Sequence, residues 1–255
     1  KTRLSEIFLH SSKKYVKKKI MNDGYRKTHI NNLLNEIIIG QYLSTISDPQ
    51  QKYFLGCKYV QIRDNYIDMY MDYIEGCDLI DYFNEREIKM NEQNDIYRKM
   101  LISVRHFHNI GFVHNDIKPD NFYKCNDGRV LLIDFGFSIL IKSPLFDNSI
   151  IGYTKEYLYP YVGINCYQNK YSDYYSSGLT IMYLMANLSD FHIKKIKHTI
   201  IEQKINSNLK YRLLDIFLMK KSNVDNYRFW IDELIILFNV SKHGLSTKKI
   251  KNITK

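Results

Sequence analysis

From Val113 to Asn121 the chain reads Val-His-Asn-Asp-Ile-Lys-Pro-Asp-Asn, and Asp134-Phe135-Gly136 follows thirteen residues after Asn121, behind the apolar run Val130-Leu131-Leu132-Ile133. The side chains here that can do chemistry are Asp116, Lys118, Asn121 and Asp134. A carboxylate can take a proton from a hydroxyl. Carboxylate and carboxamide oxygens suit a hard divalent cation, and an ammonium offsets negative charge on a reacting group. Each element alone has a plain structural explanation. Asp-Phe-Gly is a common turn, and an Asp followed five residues later by an Asn is a common loop. It is their order, framed by strand-like runs, that points to a site.

These residues need elements to hold them. Ile7 and Leu9 alternate as in a strand, and Tyr15-Val16-Lys17-Lys18-Lys19-Ile20 predicts a second, with Val16, Lys18 and Ile20 on one face. Over 28–45 the spacing becomes helical, with Thr28 as N-cap and Ile30, Leu33, Leu34, Ile37 and Ile38 on one side. Strands are expected near 53–62 and 66–73. A short helix is expected at 78–87 and a longer one at 91–109, with Ile96, Met100, Leu101, Val104 and Phe107 inward and Gly111 as its stop. Beyond residue 170 the pattern is helical, with apolar faces in 174–187, 210–219 and 226–239. A strand-rich N-terminal portion thus leads into a helix-rich remainder.

The segment around Asp116 resembles the catalytic loop H-R-D-x-K-x-x-N of eukaryotic-type serine/threonine protein kinases, and Asp134-Phe135-Gly136 resembles their metal-binding D-F-G. The resemblance implies an α+β fold of two lobes: a small N-terminal antiparallel sheet with one helix (1–73) and a larger, mainly helical C-terminal lobe (74–240), followed by a basic tail (241–255). It implies transfer of the γ-phosphate of ATP to protein Ser or Thr hydroxyls, in which catalysis is mostly positioning and charge neutralisation. Asp116 then matches the catalytic Asp and Lys118 the cation beside the transferred group. Asn121 and Asp134 match the two ligands of Mg²⁺. Lys118, two residues after Asp116, is closer to the serine/threonine than to the tyrosine kinases.

Other segments resemble the same family. Tyr15-Val16-Lys17-Lys18 is similar to V-A-I-K, so Lys18 would pair with the α- and β-phosphates and Glu36 would hold it; the plain alternative is a solvated basic strand with Lys13, Lys14, Lys17 and Lys19. Met69 to Leu79 resembles the strand and hinge that hold adenine, with Met71 as gatekeeper, backbone groups of Asp72 and Ile74 on the base, and Asp78 within reach of the ribose. Tyr153 to Pro160 resembles the substrate-receiving segment, which places Thr154 against Asp116 and Lys118. Asp173-Tyr174-Tyr175-Ser176-Ser177-Gly178 resembles D-x-W-S-x-G, whose Asp braces the catalytic loop. The similarity runs from about residue 13 to 230.

The chain departs from the family pattern at several places. Asn115 replaces the Arg that normally answers an activation-segment phosphate, so activity is expected not to need phosphorylation between Asp134 and Pro160, at Ser143 or Ser149 for instance. Tyr161 stands where a Glu belongs, although its partner Arg is kept as Arg228. Gly40 stands where a bulky apolar residue normally meets Phe135. Counting back from Lys18 places the end of the glycine-rich phosphate loop at Lys1 to Arg3, so that loop is expected upstream or missing.

Composition is compatible with this reading. The 255 residues are 45% hydrophobic and 25% charged, ordinary for a globular domain. Cys57, Cys77, Cys125 and Cys166 are scattered without a C-x-x-C pair, as free thiols in a reducing compartment are. That suggests cytoplasm or nucleus, or a host cytoplasm for the protein of a virus or intracellular parasite. No apolar run approaches a membrane span. The net charge of +10 reads as a Lys-biased solvated surface, in keeping with the richness in Lys, Asn, Ile and Tyr that an AT-rich genome produces. Three rivals remain. A pseudokinase would have lost a metal ligand, the catalytic Asp or the strand Lys. A small-molecule kinase would lack Lys118 and Phe135-Gly136, and a nucleic-acid binder would interleave its basic residues with stacking aromatics.

Overall fold

Four strands with alternating side chains begin the fold. β1 (Ser5–Leu9), β2 (Tyr15–Met21), β3 (Tyr59–Ile62) and β4 (Tyr66–Asp72) form an antiparallel sheet in the order β1-β2-β4-β3. Its register sets Lys18 opposite Met69 and Val16 opposite Met71. The computed structural model describes residues 5–12, 14–21, 27–46, 50–141, 154–157, 170–188, 191–218 and 227–242.

Helix α1 (Lys27–Thr45) lies between two apolar clusters. Leu33 joins Ile20, Cys57 and Met69 beneath the sheet, whereas Ile39 and Leu43 join the large helical core. This corrects the face expected from the sequence, because Leu34 and Ile38 are 47% and 57% exposed. A count of apolar positions favours one broad stripe, but a helix buried on two sides by different partners uses two narrow ones. The helix starts at Lys27, so Thr28 lies inside it and is not its cap.

The strand expected over 53–62 is also shorter. Gln50–Tyr53 is a 3₁₀ turn, and Phe54 sits in the helical core, bridged to Leu132, so pairing with β4 begins only at Tyr59.

β5 (Gly76–Asp78), β7 (Phe122–Cys125) and β8 (Val130–Leu132) form a second small sheet, and β6 (Phe112–Val113) pairs with β9 (Ile139–Leu140). The short α2 (Leu79–Asn84) is capped by Asp78, whose side chain accepts from the Asp81 N–H at 2.9 Å. α3 (Met90–Asn109) buries Ile96, Met100, Leu101, Val104 and Phe107 as its spacing predicts, and Gly111, at φ +96°, turns the chain just beyond it.

The helical remainder consists of α4 (Lys170–Ala186), α5 (Ile193–Glu202), α6 (Ser207–Leu214) and α7 (Tyr227–Lys242). Gly178 is required where α4 crosses its neighbours. A Cβ there would stand 2.8 Å from Cγ2 of Ile216 and 2.9 Å from the Trp230 ring. Overpacking of this kind costs about 1–3 kcal/mol, so Gly178→Ala is expected to lower the urea midpoint without changing the slope of the transition.

Candidate active site

The loop from His114 to Asn121 leaves β6 and is fixed from below by one residue. Asp173, in the first turn of α4, accepts from the backbone N–H of His114 (2.7 Å) and of Asn115 (2.8 Å), and lies 2.8 Å from Nε2 of His108 on α3. Asn115 adopts φ +66°, a left-handed conformation that Asn tolerates better than most residues. Its Nδ2 donates to the carbonyl of Phe137 at 2.9 Å, tying the loop to the chain just after Asp134-Phe135-Gly136.

Above that brace the polar residues converge on Asp116. One carboxylate oxygen accepts from Thr154 Oγ1 at 2.5 Å. The other is 2.8 Å from Lys118 Nζ and accepts from Asn121 Nδ2 at 2.9 Å. Lys118 Nζ also donates to Thr154 Oγ1 at 3.0 Å, and Asn121 Nδ2 to the Asp116 carbonyl at 2.7 Å. Asp116, Lys118, Asn121 and Thr154 therefore form one hydrogen-bonded group.

The remaining predicted residues line a cleft of about 520 Å³, a size suited to a nucleotide-sized ligand. Lys18, Glu36, Asp72, Asp78, Asp120, Asn121 and Asp134 supply charged and polar groups, with Val16, Met71 and Ile74 also along its walls. Lys18 Nζ meets Glu36 Oε1 at 2.5 Å, an ion pair between β2 and α1. Asp134 sits at φ +63°, and its carboxylate accepts from the Gly136 N–H at 3.4 Å.

Two carboxylates share the Lys18 cation. Burial works against the Lys18 charge, but Glu36 and Asp134 outweigh it and hold the ammonium above its ordinary range. Burial likewise opposes ionisation of Asp134, and Lys18, His114, the Gly136 N–H and Lys118 together hold its carboxyl below the usual range. Glu36 moves the other way. Burial raises it, Lys18 only partly offsets this, and the Asp134 charge adds to the rise. Of the two carboxylates around Lys18, Asp134 is thus the one better kept ionised for a cation in the cleft.

The sequence reading missed several lining residues. Ile7 and Leu9 of β1 reach the cleft, as do Ile133 and Tyr123. The Tyr123 hydroxyl donates to the Ile74 carbonyl at 3.0 Å, locking the segment expected to hold a base. No local signal marks Tyr123, because β7 buries Phe122 and Cys125 and leaves the two residues between them half-buried, without alternation.

Gly40 also lines the cleft. Its carbonyl accepts from the Cys57 N–H at 2.8 Å, and a Cβ on it would lie 2.9 Å from that of Cys57, so the close approach of the two backbones requires Gly. Phe135 is held from the helical side, with its ring 5.4 Å from Phe107 and 5.7 Å from His114. Cys57 is not a nucleophile here, because burial pushes its thiol up to about 11. Tyr161 and the side chain of Arg228 lie outside the described residues, as do Ser143, Ser149, most of 241–255 and the start of the chain through Leu4.

A family model described as protein kinase domain matches residues 5–235. The chain belongs to the protein kinase family. Curated relatives include a cAMP-dependent protein kinase, catalytic subunit-like, of Caenorhabditis elegans, 26% identical over 66% of this chain and 43% of its own length. The serine/threonine-protein kinase AtPK1/AtPK6 of Arabidopsis thaliana is 27% identical over 70% of this chain and 39% of its own. Mouse serine/threonine-protein kinase Nek3 is 29% identical over 54% and 28%. The chain spans less than half the length of these relatives.

Among the described residues of the kinase, no group of three or more His, Cys, Asp or Glu could hold a metal ion by itself. Mg²⁺ suits the two-ligand alternative, since it is commonly bound by one or two protein groups together with phosphates and water. Asn121 uses its Nδ2 on Asp116, which leaves its Oδ1 for such a role beside Asp134. No helix among the described residues is long and apolar enough to cross a membrane.

Proposed function

We propose that this domain transfers the γ-phosphate of ATP to Ser or Thr hydroxyls of protein substrates, using Mg²⁺ and needing no phosphate on its activation segment. The observation that carries the reading is the double placement of Asn121. It lines the cleft with Asp134 and Lys18, and the same side chain holds Asp116 at 2.9 Å. Nucleotide and acceptor hydroxyl are thereby brought to either side of one residue.

On this reading residues 1–73 carry Lys18 and Glu36, which position the α- and β-phosphates, and residues 74–240 carry the catalytic loop. Met71, Asp72 and Ile74 flank the base, with Val16 beside it and Asp78 near the ribose. Asn121 and Asp134 would hold Mg²⁺, which would supply neutralisation of phosphate charge. Asp116 orients the acceptor hydroxyl and takes its proton, Lys118 offsets charge on the moving phosphoryl group, and Thr154 fixes both. The free thiols of Cys57, Cys77 and Cys125 fit a reducing, intracellular setting.

The test is transfer of labelled phosphate from ATP with Mg²⁺ to a generic basic acceptor protein, with phosphoamino-acid analysis, for wild type and Asp134→Asn. Label on Ser or Thr that Asp134→Asn abolishes supports the reading. Nucleotide binding with no transfer by wild type would overturn it in favour of a pseudokinase.

Phosphorylation independence rests on Asn115. Its bond to the Phe137 carbonyl joins catalytic loop and activation segment directly, a connection that needs no phosphate. A buried hydrogen bond is worth about 0.5–1.5 kcal/mol, so Asn115→Ala is expected to lower kcat by roughly 2- to 10-fold. Phosphatase treatment of wild type should leave the rate within about twofold, and a large loss on dephosphorylation would contradict this.

A further inference from the structure

Helix α5 buries Ile196 and Ile200 completely, which fixes its inner face. Its outer face is unusual. Ile193 and Ile201 are 37% and 46% exposed, and Lys194, Lys197 and His198 are exposed with them. At 100° per residue all five fall on one side of the helix. Lys195 and Lys204 extend the positive charge, against one carboxylate within the helix itself, that of Glu202. Among the described residues none of Lys194, Lys195 and Lys204 has an acidic partner. Lys210 donates to the carbonyl of Ile201 at 2.6 Å, and Tyr211 beside it is 63% exposed. Aliphatic side chains left partly exposed among lysines on a solvent face suit an interaction surface.

This face is joined to the catalytic group. Phe191, two residues before α5, places its ring 4.5 Å from that of Tyr157 and 5.3 Å from that of Tyr183. The Tyr157 N–H donates to the carbonyl of Thr154, whose hydroxyl in turn bonds Asp116. A polypeptide held on α5 is therefore anchored beside the segment that meets the acceptor.

We propose that the exposed face of α5 docks an acidic, aliphatic-containing segment of the protein substrate, separate in sequence from the phosphoacceptor. The proposal rests on the reading above that the acceptor is a protein. Charge complementarity selects the acidic segment, and Ile193 and Ile201 select one with aliphatic side chains. Nucleic acid is disfavoured because the helix offers aliphatic groups with one exposed ring, Tyr211, beside them, where a strand of bases needs a succession of aromatic platforms.

The experiment compares a short Ser-containing acceptor peptide with the same peptide extended through a Gly/Ser linker by a segment of Asp, Glu and Leu. Wild-type chain is set against Lys194→Glu/Lys197→Glu/Ile201→Ser. Tethering raises the effective concentration of the acceptor, so KM for the extended peptide is expected to be about tenfold or more below that of the short one. The triple variant should erase this difference while keeping kcat and KM on the short peptide, and added salt should weaken it. Equal KM values in wild type, or a difference that survives in the variant, would overturn the proposal. So would binding of oligodeoxythymidylate that the triple variant loses while the acidic peptide shows none.

Fluorescence anisotropy of the labelled acidic segment, with no ATP present, separates this proposal from the assigned activity. Binding without phosphate transfer to any peptide would sink the activity and support the docking face. Transfer without binding would sink the docking face alone.

Discussion

An Asp116→Asn variant is expected to fold normally and to lose about 10²- to 10⁴-fold in kcat, with KM for ATP little changed. The two sides of this expectation come from different contacts. The Asp116 carboxylate is surrounded by donors, with Lys118 and Asn121 on one oxygen and Thr154 on the other. An amide can keep its oxygen toward Lys118 and Asn121 and turn its NH₂ toward the Thr154 hydroxyl, which is able to accept. The neighbours therefore stay satisfied and the loop keeps its shape. On the proposed function, what disappears is the negative charge that would orient the acceptor hydroxyl and the basicity that would take its proton.

Asp116 is not among the residues lining the nucleotide cleft, so binding of ATP should not register the change. The measurements are steady-state kinetics with ATP and acceptor varied separately, and a thermal melt. Retention of more than about a tenth of wild-type kcat, too much for loss of a general base, would remove Asp116 from that role. A matched rise in KM for ATP would show that the variant had disturbed the cleft.

The residues of this site were legible in the sequence because their chemistry is carried by side-chain type at fixed spacing in one stretch of chain. Asp116, Lys118 and Asn121 lie within six residues, and a loop so short leaves few ways to arrange them. Lys18 and Glu36 were legible for another reason. Each stands at an inward position of its element, where a charge has to find a partner.

The packing around the site was less legible. The exposed Leu34 and Ile38 resemble core residues as long as burial is judged by hydrophobicity, and only the second cluster behind α1 reveals that Ile39 and Leu43 take that place. Strands β5, β6 and β9 have two or three residues each, too few for alternation to show. Tyr123 was hidden because its contribution is a hydroxyl aimed at the Ile74 carbonyl, and that depends on how β7 lies under the hinge rather than on any local pattern.

His108 was missed in the same way, and it matters to the second large effect. Replacing Asp173 by Ala is expected to cost about 3–5 kcal/mol of stability and to lower kcat well beyond what that loss explains. Asp173 is fully buried and is the common partner of the His114 N–H, the Asn115 N–H and the His108 ring. Each buried donor left without an acceptor costs about 1–3 kcal/mol, and water has little access to a position with no exposed surface. Two of the donors belong to the backbone immediately before Asp116, so the strain falls on the catalytic loop.

Nδ1 of His108 is buried without a hydrogen-bond partner, so once Asp173 is gone the ring keeps no side-chain hydrogen bond and is left with its edge-on packing against Tyr174. Urea unfolding of Asp173→Ala, His108→Ala and the double variant forms a cycle that separates a shared network from independent contacts. A network predicts that His108→Ala adds little once Asp173 is absent, while kcat measured where all variants are folded still falls for Asp173→Ala. Additive stability losses with kcat intact would mean that Asp173 holds only α4 and α3 together, and that the catalytic loop owes its position to Asn115 and the β6–β9 pairing instead.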